Sequence, residues 1–189
     1  MIRRFAATAA VLAAITFSGA AHAAPVKYDF DKAHTSISFK VNHLGFSNSI
    51  GRFMDWDGHI MFDAEKPADS SVEVKIKSPS IFMGTEAWDK HMKNADFLNV
   101  EKFPTIDFKS TKVEVTGDKT ADIHGDLTIL GVTKPVVLKT TMMGAGKHPM
   151  SGKETAGFSA TTTIKRSDFG MNYGLPNVGD EVAINIEVE

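Results

Sequence analysis

The chain has 189 residues, 42% of them hydrophobic and 23% charged, enough to bury a core without disulfides or metals. Its 21 Lys and Arg stand against 23 Asp and Glu, a net charge of −2 that argues against nucleic acid and against anionic lipid surfaces as partners. Cys is absent, which excludes thiol nucleophiles, thiolate metal sites and redox pairs.

The N-terminus reads as a secretory signal. Arg3 and Arg4 supply the positive region, Phe5 to Phe17 the apolar run, and Ala21-His22-Ala23 the small-x-small cleavage pattern. The run is short of the ~20 residues that cross a bilayer. Cleavage after Ala23 is expected, leaving a soluble periplasmic protein with one domain over 24–189 and a net charge of about −4 once Arg3 and Arg4 are gone.

Beyond Ala24 the dominant pattern is period two, the mark of half-buried antiparallel strands. Over His34 to His43, Ile37, Phe39 and Val41 share one face and Ser36, Ser38, Lys40 and Asn42 the other; His43 has the apolar parity and is placed at a barrel mouth. Over Arg52 to Asp63, Met54, Trp56, Ile60 and Phe62 alternate with Asp55, Asp57, His59 and Asp63, a face expected to be solvated. Val72, Val74 and Ile76 alternate with Glu73, Lys75 and Lys77.

The period then breaks. Thr85 suits an N-cap, Glu86 and Asp89 put negative charge in a first turn, Trp88 and Met92 fall at i and i+4, and Asn94 suits the end, so a helical insert is expected over Glu86 to Leu98, lying across one end or side of the barrel. Alternation resumes through Ile106 and Phe108, Val113 and Val115, Ile123 to Ile129, Val136 to Thr140, Phe158 to Ile164 and Val182 to Val188. Turns are expected at Thr116 to Asp118, Leu130 to Pro135 and Gly144 to Gly152.

The expected fold is therefore all-β: a closed antiparallel barrel of about eight strands, a size that encloses one small ligand. Inward parity collects Phe39, Val41, Trp56, Ile60, Val74 and Ile76 from the first half of the chain. Phe108, Leu127, Ile129, Phe158, Ile164 and Ile184 join them from the second, with Trp88 from the insert. Small inward residues, Gly58, Gly125, Ala160 and Thr162, are expected to leave the centre unfilled.

Motifs for chemistry are sparse. The histidines make no compact ligand spacing, so no metal is expected, and no GxSxG, Walker or GxGxxG sequence occurs. Arg166-Ser167-Asp168-Phe169-Gly170 is the sharpest cluster. Arg166 and Asp168 are candidates, with His43, to meet a ligand head group; the structural alternative locks Arg166 to a neighbouring carboxylate where the strand turns at Gly170.

These residues also resemble a known family. Ala33 to Phe39, Val41 to Ser47, Gly51 to Phe53, Asp89 to Pro104, Gly125 to Pro135 and Arg166 to Gly170 follow in the order of the YceI family across nearly the whole mature chain. The resemblance implies a lipocalin-like barrel with a helical insert, in the periplasm, holding a polyisoprenoid chain in an apolar tunnel, without cofactor or established catalysis. A membrane protein that donates or accepts the lipid, and a homodimer through the final strand, are partners to be tested. Two other readings stay open: an enzyme on a lipid-linked substrate using His43, Arg166 or Asp168, and a ligand-free stress module with a solid core.

Overall fold

The computed structural model describes residues 24–189, and the signal expected over 1–23 lies outside the described residues. Eleven strands form one antiparallel sheet: β1 (Val26–Asp29), β2 (Ser36–His43), β3 (Ser47–Phe53), β4 (Trp56–Phe62), β5 (Ser71–Lys77), β6 (Ile81–Phe82), β7 (Thr105–Gly117), β8 (Thr120–Ile129), β9 (Val132–Lys147), β10 (Glu154–Lys165) and β11 (Val178–Val188). One α-helix, α1 (Glu86–Lys93), stands between β6 and β7.

The all-β antiparallel expectation holds, while strand count and closure change. Instead of about eight strands closed on themselves, eleven run in the order β1-β4-β5-β7-β8-β9-β10-β11-β2-β3-β6, curled strongly into a half-barrel. The added strands include β1 and the two-residue β6, too short for alternation to reveal. The expected run from Arg52 to Asp63 is split, because β3 ends at Phe53 and β4 starts at Trp56. Met54 and Asp55 carry the chain from one side of the sheet order to the other. There the Met54 amide donates to the Ser80 carbonyl at 3.1 Å and the Lys77 amide to the Asp55 carbonyl at 3.0 Å, prolonging the β3–β6 and β4–β5 pairs into the bend.

Some boundaries also move. The β8–β9 turn is tighter than Leu130 to Pro135: Leu130 and Gly131 both adopt positive φ, 52° and 74°, in a two-residue connection whose twist suits a hairpin. The expected turn over Gly144 to Gly152 starts late, since β9 continues to Lys147 and the bend is organised by His148, whose Nδ1 accepts the amides of Met150 and Ser151 at 3.2 Å. A homodimer by edge pairing through the final strand is ruled out, because β11 is paired on both sides, by β10 and β2.

The insert is shorter than Glu86 to Leu98. Thr85 caps it as expected, its hydroxyl accepting the Trp88 amide at 3.3 Å, but the helix stops at Lys93 with Asn94 as C-cap. Asn94 Oδ1 then takes the Asp96 amide at 2.9 Å, an Asx turn that competes with further helix and sends Phe97 and Leu98 inward as loop residues. Asp89 ties α1 to the sheet, accepting the Met83 amide at 2.6 Å.

Candidate functional site

Strand alternation delivers one apolar cavity of about 500 Å³, within the range of small-molecule sites. Phe39, Val41, Trp56, Ile60, Val74, Ile76, Phe108, Leu127, Ile129, Phe158, Ile164 and Ile184 all line it, as does Trp88, which sits half-exposed at one end. At that end the lining also includes His43, His91 and Tyr173; at the other it includes Pro67, Ser70 and the β7–β8 turn from Gly117 to Thr120. The lining thus spans the strands from one end of the half-barrel to the other.

The walls are not uniform. Towards α1, Ile81, Met83, Leu98 and Phe169 from short or irregular segments are buried in one cluster with Trp56, Ile76, Ile106 and Ile129, and all eight border the cavity. Further along, Ile60, Val74, Leu138, Ile184 and Ile186 are only partly buried, their inward sides facing open space. The two aromatic groupings stand at opposite ends. Tyr28, Phe62 and Phe158 meet edge to face at 5.9 and 5.4 Å, and His91, Phe97 and Tyr173 at 5.0 to 5.6 Å.

Two of the expected space-leaving glycines do something else. Gly125 lies under the Phe108 ring, and a Cβ there would collide with it, so the glycine admits an aromatic rather than a void. Gly58, at φ 147°, lies against the Glu73 carbonyl of β5, where no side chain fits. Ala160 and Thr162 do line the cavity. Asp55 and Asp57 are exposed as expected and bridge to Lys32 at 3.4 and 3.1 Å, whereas Asp63, expected on the same outward face, is 5% exposed and accepts the amides of Glu65 and Lys66, fixing the turn after β4.

The head-group candidates do not converge. Among the described residues no hydrogen bond or ion pair joins His43, Arg166 and Asp168, and Asp168 is exposed and off the cavity wall. Arg166 is 3% exposed and committed to the loop that follows it. Its Nε donates to the Gly179 carbonyl at 2.8 Å, Nη1 to those of Met171 and Tyr173 at 3.0 and 2.9 Å, and Nη2 to Val178 at 2.9 Å. The structural alternative is therefore right about the role and wrong about the partner: carbonyls, not a carboxylate, hold the guanidinium.

The nearby carboxylate, Asp180, binds Ser167 instead, taking its amide at 2.9 Å and its hydroxyl at 2.8 Å. Those bonds, the amide first, hold the Asp180 carboxyl below its ordinary value, with Arg166 contributing by charge. Burial lowers the Arg166 pKa against the opposing Asp180 charge. The group remains a cation. Alternation missed Met83, Phe97, Leu98, Phe169 and Met171, which line one end of the cavity, because they come from loops with no period to read.

No group of His, Cys, Asp and Glu suited to a metal ion occurs among the described residues. The wall is suited to apolar chains, and among the described residues no acid, base and nucleophile are assembled along it.

Known proteins share this architecture. The pattern that defines the YceI-like domain matches residues 28–189. A UPF0312 protein of Pseudomonas putida is 43% identical over 189 residues, covering 100% of this chain and 97% of the relative. The crystal structure of the Campylobacter jejuni YCEI protein superposes with a TM-score of 0.71 at 35% identity, covering 86% of this chain and 97% of that one. A polyisoprenoid binding domain from Saccharophagus degradans shares the fold at 12% identity, with a TM-score of 0.63 and coverage of 87% and 97%.

Proposed function

This chain belongs to the YceI-like domain family, and from that premise we propose that it binds and carries a long apolar lipid in the cavity, most specifically an isoprenoid such as a quinone tail or a polyprenyl chain, with fatty acids or amides as near alternatives. The observation that carries the reading is the cavity of about 500 Å³ whose walls are aliphatic and aromatic along the strands. Filling it with hydrocarbon gains ~25 cal/mol per Å² of apolar surface removed from water, partly offset by the lost freedom of the chain. The polyisoprenoid named for the Saccharophagus degradans domain, which has the same fold, supports the choice of ligand.

Solvent extraction and native mass spectrometry of the purified protein test this directly. A co-purified lipid, or uptake of polyprenols and quinones presented in detergent, is expected; protein that never carries lipid and takes up none refutes it. In the same reading the chain is exported, with a mature N-terminus at Ala24, which N-terminal sequencing of periplasmic protein checks. It exchanges cargo with a membrane donor or acceptor. Catalysis at the mouth has lost its motivation with the dispersal of His43, Arg166 and Asp168, and the unfilled centre opposes a solid ligand-free core.

A further inference from the structure

The outside of the sheet is of two kinds. On β4, β5 and β7 the outward residues are interlaced charges, with Lys109 on Glu73 at 2.6 Å and Lys75 on Asp107 at 3.3 Å. On β2, β3 and β6 they are not. Phe46 at the β2–β3 turn is 92% exposed and Ile50 on β3 is 68% exposed, and Leu44, Met54 and Phe82 are also exposed. The register places Ile50 beside Lys40 and Phe82 beside Arg52, whose guanidinium lies over the Phe82 ring at 5.2 Å.

The charge here has one sign. From Ala33 to Met54 the chain holds no Asp or Glu but carries Lys40 and Arg52, in a protein whose net charge is −2, while Lys32 just before it is taken up by Asp55 and Asp57. Lys40 has no acidic neighbour in register, since Ile50 and Ala183 flank it. Exposed aromatic and aliphatic side chains beside Lys40 and Arg52, neither of which is in an ion pair among the described residues, match the interface of an anionic bilayer, where apolar groups enter the headgroup region and each cation gains from the surface potential. A second copy of this chain fits poorly, because a twofold contact through this face would set Lys40 and Arg52 against their own kind.

We infer that the β2–β3–β6 face and its hairpin tip dock the protein on anionic membrane surfaces, where cargo crosses between bilayer and cavity. His43 and Ser49, on the strands that bear the tip, line the cavity at this end, so docking sets its mouth against the lipid. The mildly acidic total charge, which argues against such a surface when averaged over the chain, hides this segregation. The role in cargo transfer rests on the carrier reading, but docking itself is tested without cargo.

The test is sedimentation of the full mature protein with vesicles of phosphatidylglycerol and phosphatidylcholine in equal parts. Binding is expected to fall on raising salt and to be lost on pure phosphatidylcholine. Phe46→Ser should weaken it about tenfold, by the burial of one aromatic side chain. Lys40→Glu should weaken it at least fivefold, by loss and reversal of one interfacial charge, while Lys109→Glu on the opposite face leaves it unchanged. All three sites are exposed, and unaltered urea midpoints verify folding. Absence of vesicle binding, equal binding to neutral vesicles, indifference to Phe46→Ser and Lys40→Glu, or a dimer dissolved by Phe46→Ser in place of vesicle binding each overturns the inference. Failure of lipid uptake with vesicle binding intact overturns the carrier reading instead.

Discussion

Towards α1 the cavity walls are tightly buried, and between the middles of β4, β5, β9 and β11 they are less so, although the strands show the same alternation in both places. The difference lies in what enters from outside the sheet. Ile81, Met83, Leu98 and Phe169 come in from short or irregular segments and close the space against Trp56, Ile76 and Ile129. Ile60, Val74 and Ile184 also line the cavity but are only partly buried. Strands build walls in this fold, and loops decide where the walls are reinforced. The consequence for function is a division of labour in which one end carries rigidity and the rest carries capacity.

The largest expected effect comes from the loop that holds the filled end. Replacing Arg166 by Met removes the donors to the carbonyls of Met171, Tyr173, Val178 and Gly179 and should cost about 3–5 kcal/mol, read as a fall in the urea midpoint. Arg166→Lys should recover little of it, because one ammonium cannot span carbonyls that a planar fork reaches together. Stability close to wild type in either variant would mean that the loop is held by its apolar contacts alone.

A paired substitution tests the contrast within the interior. Ile129 and Ile60 both line the cavity, yet Ile129 is buried in the core cluster and Ile60 is only partly buried. Ile129→Asn buries an amide without a partner and should cost about 3–5 kcal/mol. Ile60→Asn places the amide where water can follow it, so lipid uptake should be largely lost for no more than about 1–2 kcal/mol of stability. Equal destabilisation at both positions would show that the cavity is closed by packing in solution and would count against a ligand tunnel.

The sequence and the structure agree where period two governs. The twelve strand residues expected on the wall, from Phe39 to Ile184, do line it, because a strand fixes the side of each residue by parity, whatever surrounds it. Three things parity does not encode were missed. The division at Met54 and Asp55 is a bend rather than a change of pattern, so β3 and β4 read as one run. The end of α1 depends on Asn94 taking an amide two residues on, a local competition that leaves helical spacing at Phe97 and Leu98 intact on paper. Gly125 reads as vacant space, but vacancy depends on the neighbour, and here the neighbour is the Phe108 ring. Arg166 was legible as important and illegible in its partners, because backbone carbonyls leave no trace in residue identity.

The smallest effect separates charge from shape at the filled end. Asp180 clamps Ser167 through its amide and hydroxyl, and these bonds lower its pKa from the ordinary 3.8. A carboxyl whose folded pKa lies below its unfolded one stabilises the fold above the unfolded value and loses that contribution as pH falls through the folded value. The wild-type protein should therefore lose stability from about pH 4 downward for this group, over and above what its other carboxylates lose. Asp180→Asn keeps one oxygen to accept from Ser167 but has no charge to titrate. Its urea midpoint should lie modestly below wild type at neutral pH, and the gap should narrow once the medium is more acidic than pH 3.8. A gap that stays constant through this window would assign the clamp to geometry alone, with the charge of Asp180, and its attraction to the buried Arg166, contributing nothing.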